Sequence, residues 1–163
     1  MLDSNDAPGF AELGDMPAAE FREALHRVAE WVADYRESIE ELRISPDIAP
    51  GEISARLPQV PPEAPERFSD IFRDFQQSII PGVVHWGHPA FFGYFGSTTT
   101  SAGILGEMLM GALNVSAMTW RTSPSATELE TLVLDWLRQM IGLPTDYTGV
   151  VYDTASIAVM HAL

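Results

Sequence analysis

Between residues 44 and 65 the chain places six prolines, Pro46, Pro50, Pro58, Pro61, Pro62 and Pro65, with Gly51 among them. Proline has no amide hydrogen to donate, and its ring crowds the carbonyl four residues back, so no continuous helix crosses this stretch. An extended linker lying over a surface is the expected form. Everything else arranges itself around that break. Before it, Phe21, Leu25, Val28, Val32, Tyr35, Ile39 and Leu42 recur at three- and four-residue steps, with Ala24 and Trp31 widening the stripe. Glu20, Arg27, Glu30, Asp34 and Glu41 take the other faces. The spacing predicts an amphipathic helix over residues 17–42, whose apolar stripe needs a partner surface.

After the linker, Phe68, Ile71, Phe72, Phe75 and Ile79 predict a second helix over 66–79, stopped by Pro81-Gly82. From 83 to 100 the pattern turns to rings and small residues, VVHWGHPAFFGYFGSTTT, which suits a loop or extended segment passing close to something flat. A buried helix is expected over 101–114, with Ile104, Leu105, Met108, Leu109 and Ala112 on its apolar side. Another is expected over 123–141. There Ser123 suits the cap, Pro124 the first turn and Gly142 a left-handed ending. Residues 149–152 (GVVY) read as a short buried strand, followed by Asp153, Thr154, Ala155, Ser156 and a small-residue helix over 157–163.

Two counts narrow the chemistry. The nine basic residues, Arg22, Arg27, Arg36, Arg43, Arg56, Arg67, Arg73, Arg121 and Arg138, include no lysine, so any lysine amine must come from outside these 163 residues. There is also no cysteine, which excludes disulfides, thiolate metal sites and cysteine nucleophiles. A cysteine-free chain fits a reducing compartment, and the cytoplasm is the expected location. The net charge of -14 argues against nucleic acid or an anionic membrane as partner, since both recruit basic patches. No apolar run approaches the roughly 18 residues of a membrane span.

Two constellations are left. The turn at Thr154, Ala155 and Ser156 opens a helix, whose first amides and positive dipole end attract phosphate, and two hydroxyls add donors. Local sequence leaves this open, because Thr154 as a simple helix cap with nothing bound satisfies it equally well. The second constellation is His85, Trp86, His88, Phe91, Phe92, Tyr94 and Phe95, which reads either as packed core or as a pocket wall for a planar ligand. His85 and His88 lack a nearby carboxylate, and no metal site is expected.

These stretches together carry a resemblance. PGVVHWGHPAFFGYF (81–95) and WRTSPSATELETLVLDWL (120–137) resemble the group II decarboxylases dependent on pyridoxal 5'-phosphate (PLP), most closely the aromatic-L-amino-acid decarboxylase branch. The pattern there is PG-x-x-HW-x-x-P-x-FF-x-YF, then W-x-x-SP-x-x-TELE, and the likeness covers about residues 15–163. It implies an α/β enzyme of fold type I, with flanking helices around a mixed sheet, of which this mostly helical chain holds the N-terminal segment and the start of the large domain. Residues 1–14 would be a flexible lead-in. Residues 15–100 would pack on the partner of a homodimer, and 101–163 would begin the PLP-binding domain. The same likeness puts Trp86, Tyr94, Phe95 and Ser97 around the substrate. Ser116 and Met118 would reach the pocket of the opposite subunit, and Thr154, Ala155 and Ser156 would hold the PLP phosphate.

Some positions depart from the pattern. Gly96 stands where proline is common, Ser116 and Met118 where larger apolar residues are frequent, and Asp153 where a glycine precedes the phosphate turn. A carboxylate at 153 repels phosphate unless it turns away. The implied reaction removes the α-carboxylate of an L-amino acid, expected to be aromatic, as carbon dioxide. The related aldehyde synthases are the alternative within the family. No catalytic residue is expected here, because the Schiff-base lysine, its aspartate and its stacked histidine come later in the family than residue 163. A fragment of a longer enzyme is therefore expected; the contrasting expectation is a lysine-free binding module that uses the stripe at 21–42.

Overall fold

A computed structural model describes residues 14–97 and 99–163, so the expected lead-in at 1–14 falls almost wholly outside the described residues. The chain divides into two compact units, one ending at Thr99 and one spanning Thr100–Leu163. The described residues contain helices and connecting segments, and no β-strand.

In the first unit, helix α1 spans Ala18–Glu37 and is followed by a 3-10 turn at Ile39–Glu41. The expected helix thus ends early, and Ser38 supplies the reason. Its hydroxyl and its amide both donate to the Asp34 carbonyl, at 2.7 and 2.9 Å, and a side chain that competes for backbone acceptors loosens the next turn. The proline-rich stretch is irregular, as expected, apart from a single turn, α2 (Glu52–Ala55), entered through Gly51 at φ 89°. Glu52 closes that turn by accepting from the Ala49 amide and pairing with Arg56, and both interactions hold its carboxyl below the usual carboxylate range. Helix α3 (Phe68–Asp74) widens into a π turn at Phe75–Ile79 and tightens into a 3-10 turn at Ile80–Gly82. Pro81 lies inside this last turn, where its ring disfavours the regular α spacing.

Aromatic contacts hold this unit together. Trp31 of α1 stacks on Tyr35 (5.3 Å between ring centres) and meets Phe75 (5.2 Å) and Phe72 (6.2 Å) edge-on. Phe68, Phe72 and Phe75 stack in sequence along α3 and its continuation. The packed row of α1 is therefore Ala24, Val28, Trp31 and Tyr35, with Ala24 buried and the rest half-buried. Phe21 stays 55% exposed, and Leu25 is exposed too. The linker covers the end of α3: a methyl group added at Gly82 would lie 2.8 Å from Ile53 Cδ1 and 3.3 Å from Ile48 Cδ1.

The second unit contains α4 (Ser101–Leu113), α5 (Pro124–Met140) and α6 (Ala155–Ala162). Thr100 caps α4 by accepting from the Gly103 amide at 3.0 Å, and Asn114 ends it at φ 45°. Ser123 precedes α5 and is buried, yet its side chain makes no capping bond; its carbonyl takes the amide and hydroxyl of Thr127 instead. Pro124 opens α5, and Gly142 follows it at φ 74°, the left-handed conformation that glycine adopts without strain. Arg138 binds the return of the chain, with Nε on Asp135 and Nη1 on the Leu143 carbonyl, both near 2.9 Å. Arg138 and Gln139 lower the Asp135 pKa by donating to its carboxylate.

Two expectations are corrected here. Helix α4 is not buried: Leu105, Leu109, Met110 and Leu113 are all more than half exposed. Nor are residues 149–152 a buried strand, since Val150 and Val151 are exposed. A strand exists only as part of a ladder, and no described segment offers one. The Val151 amide donates instead to Glu130 at 3.0 Å.

Candidate functional site

The aromatic segment after Gly82 has no regular secondary structure, so side chains and turns must set its course. His85 is its root, at 6% exposure. Its amide donates to the Ile44 carbonyl at 2.9 Å, and its Nδ1 is hydrogen-bonded with the Tyr35 hydroxyl at 2.8 Å. Burial, and secondarily the proximity of His88, push the His85 pKa below its ordinary 6.5 and favour the neutral ring. Burial also raises the Tyr35 pKa, keeping its phenol protonated. His88 accepts the Ala90 amide at Nδ1 (3.0 Å), which leaves the proton on Nε2 to donate to the Glu40 carbonyl (3.3 Å).

Beyond these anchors the rings gather. Trp86 stacks on Tyr94 with centres 5.6 Å apart and planes 11° from parallel, and Phe91 packs against both. Tyr94 sits at φ 56°, a region that costs a side-chain-bearing residue about 1 kcal/mol or more and persists where neighbours enforce it. Gly93 precedes it with its α-carbon against the Phe91 ring; an added methyl would approach that ring to 3.1 Å. The outer faces of this group are open, with Trp86 45% and Tyr94 88% exposed. Phe95 and Ser97 are also exposed, and Phe95 joins none of these ring contacts.

In the second unit, Ser116 and Met118 lie exposed in the connection between α4 and α5. Within it, Thr119 and Thr122 bond each other and Trp120 Nε1 donates to Glu128 at 2.7 Å. Thr154 caps α6, its Oγ1 accepting from the Ile157 amide at 3.3 Å. Because a hydroxyl accepts and donates independently, that bond leaves the Thr154 proton available. Ala155 and Ser156 occupy the first turn, where amides lack intrahelical acceptors, and Thr154, Ala155, Ser156 and Asp153 are all exposed. Two hydroxyls and two amides around a small side chain make a donor set that fits a phosphate group. Elsewhere in this unit a cleft of about 400 Å³ runs beside α5, lined in part by Leu134, Leu137, Ile141, Leu143 and Tyr147. Its charged members, Asp135 and Arg138, bond each other. Among the described residues no cluster of three or more His, Asp or Glu is placed to hold a metal ion, and no helix is long and apolar enough to cross a membrane.

The pyridoxal-dependent decarboxylase conserved domain matches residues 50–163. The chain belongs to that family. Tryptophan decarboxylase 2 of Oryza sativa subsp. japonica is 44% identical over 157 residues, covering 93% of this chain and 32% of that protein. The crystal structure of Catharanthus roseus tryptophan decarboxylase in complex with L-tryptophan superimposes with a TM-score of 0.81 at 41% identity, over 86% of this chain and 32% of that one. Rhodiola rosea 4-hydroxyphenylacetaldehyde synthase gives a TM-score of 0.74 at 36% identity, over 79% and 28% respectively. The chain thus spans about a third of the length of the curated relatives it matches.

The residues around the decarboxylase motif that sequence reasoning missed are Tyr35 and Glu40, the partners of the two histidines. Tyr35 was legible as part of an apolar stripe, and His85 as part of the aromatic constellation. Their pairing across 50 residues had no local signal.

Proposed function

We propose that this chain is the N-terminal part of a PLP-dependent decarboxylase that releases the α-carboxylate of an aromatic L-amino acid as carbon dioxide and leaves the amine. The observation that carries the reading is the superposition, at 41% identity, on a decarboxylase holding L-tryptophan. The open stack of Trp86 and Tyr94 supports it, since parallel rings with free outer faces suit an aromatic side chain.

In this reading PLP supplies the electron sink for the pair left behind by departing carbon dioxide. Thr154 and Ser156 donate hydroxyl hydrogens to its phosphate, the amides of Ala155 and Ser156 add to them, and the small Ala155 side chain leaves room. Trp86 and Tyr94 orient the substrate ring, with Phe95 and Ser97 completing that wall. Ser116 and Met118 line the pocket of the opposite subunit. The amine that anchors the cofactor is supplied by a lysine outside this sequence. The full protein is a cytoplasmic homodimer of fold type I, its mixed sheet built largely from the remaining chain. The exposed Phe21 and Leu25 of α1 contribute to the dimer contact. A self-sufficient binding module fits less well, because α4 and α6 leave Leu105, Leu109, Leu113, Val159 and Met160 exposed to water.

The test is release of labelled carbon dioxide by the full-length holoenzyme from carboxyl-labelled L-tryptophan, L-tyrosine and L-glutamate. Release from the aromatic substrates with formation of the amine supports the proposal, and release from glutamate alone sinks it. The likeness to 4-hydroxyphenylacetaldehyde synthase favours one second reading, in which aldehyde replaces amine and oxygen is consumed. Product analysis in the same assay separates the two.

A further inference from the structure

We propose that Tyr35 and His85 are positioning residues for the substrate wall: their hydrogen bond latches the Trp86–Tyr94 stack to the end of helix α1, with His88 as a second anchor. The proposal rests on the reading of that stack as the surface that meets the substrate ring.

The aromatic segment has no ladder and no helix to fix it, and its anchors converge on one stretch of the chain. The Tyr35 hydroxyl bonds His85 Nδ1, the Ile44 carbonyl takes the His85 amide, and the Glu40 carbonyl takes His88 Nε2–H. Arg36 adds a bond from Nη1 to the Thr99 carbonyl at 3.2 Å, at the far end of the same segment. Positions 35, 36, 40 and 44 are the last turn of α1 and the chain immediately after it. Tyr35 cannot swing freely, because Trp31 stacks flat against it, 12° from parallel, and Trp31 is itself braced by Phe72 and Phe75. The next residue after the buried His85 is Trp86, so any shift of the imidazole moves the indole and, through the stack, Tyr94. A methyl group added at Gly87 would lie 3.1 Å from Ile39 Cδ1, so the backbone beside Trp86 also sits close against the turn that follows α1.

A purely structural pair would lower stability and damage every kinetic constant together. A positioning pair has a different signature, because a misplaced wall weakens ground-state and transition-state binding alike and raises KM while kcat holds. Tyr35→Phe in the full-length holoenzyme keeps the ring and its stack on Trp31 and deletes only the hydroxyl. The expected result is a KM for the aromatic substrate raised about fivefold, with kcat changed by less than about twofold. Amide hydrogen exchange should quicken across residues 84–95 while the centre of α1 is unchanged. His85→Asn, which keeps an acceptor near the place of Nδ1, should stay closer to wild type than His85→Leu. Unchanged KM and unchanged exchange in Tyr35→Phe overturn the latch, as does a joint loss of kcat and of α1 protection, which marks a structural role alone. If His85→Leu does not fold, Tyr35→Phe still decides. A wild-type enzyme without aromatic decarboxylase activity overturns the substrate reading and with it the link to substrate, and the exchange data then decide the latch as a purely conformational feature.

Discussion

The two units of this chain use similar helices to opposite effect. In the first, α1 and α3 bring Trp31, Tyr35, Phe68, Phe72 and Phe75 into mutual contact, and the aromatic segment is bonded to that group through His85. In the second, α4 and α6 are richer in aliphatic residues than α1, yet Leu109 is 66% and Met160 74% exposed. Burial stabilises at roughly 25 cal/mol per Å² of apolar surface removed from water, so an apolar stripe contributes nothing until something covers it. The first unit covers much of its own stripe. The second leaves most of its apolar side chains exposed. Hydrophobicity in a sequence states a demand for burial without naming what meets it.

The contrast is sharpest in local stability. In the isolated chain, amides at the centre of α1 should exchange on the order of a hundredfold more slowly than those of α6, because every residue of α6 is exposed and little packing resists its opening. Equal protection in the two helices, read by exchange mass spectrometry, would break the comparison. Next in size is Trp31→Ala, which should cost the first unit about 2–3 kcal/mol in denaturant unfolding, less than full burial would imply because the ring is only half-covered. Leu109→Ala in α4 should change the isolated chain by no more than about 0.5 kcal/mol. A cost for Leu109→Ala approaching that of Trp31→Ala would show that α4 is covered after all.

Arg138→Ala should cost about 1 kcal/mol, because the Leu143 carbonyl loses its donor just past the end of α5. The smallest effect is a pH dependence confined to the first unit. The folded state favours neutral His85, so its pKa lies below the unfolded 6.5. Between those two values the unfolded chain binds more protons, and stability rises with pH. The stabilisation is therefore complete above 6.5 and is lost as pH falls through the folded pKa. Urea midpoints across that window should fall with acid in the wild type, and the His85→Gln variant should lack this component. A slope that survives in His85→Gln would assign the titration to another group.

Much of the molecule could be read in advance because its signals are local. The prolines at 46–65 preclude a continuous helix by their own covalent geometry, Gly142 meets a left-handed φ, and Pro124 opens α5. The motifs at 81–95 and 120–137 pointed to the decarboxylase family, and the Thr154 turn is where a hydroxyl-rich helix start was expected. The expected strand at 149–152 failed for a non-local reason: β-branched residues favour extended backbone, but a strand requires a second chain segment to complete its hydrogen bonds.

What the sequence determined by itself was the position of the longer helices α1, α3, α4, α5 and α6 to within a few residues, the breaks between them and the family; the single turn α2 inside the proline-rich stretch was not foreseen. Those depend on ring closure, amide loss and 3.6-residue periodicity, which act within a turn or two. Only the tertiary structure decided which row of α1 is used, Ala24, Val28, Trp31 and Tyr35 in place of Phe21 and Leu25. The apolar stripe is wider than one contact row, and the aromatic ridge of α3 selects among its rows. The tertiary structure also decided that Tyr35 meets His85, a bond between residues 50 apart that no periodicity encodes, because it exists only where two surfaces already lie together.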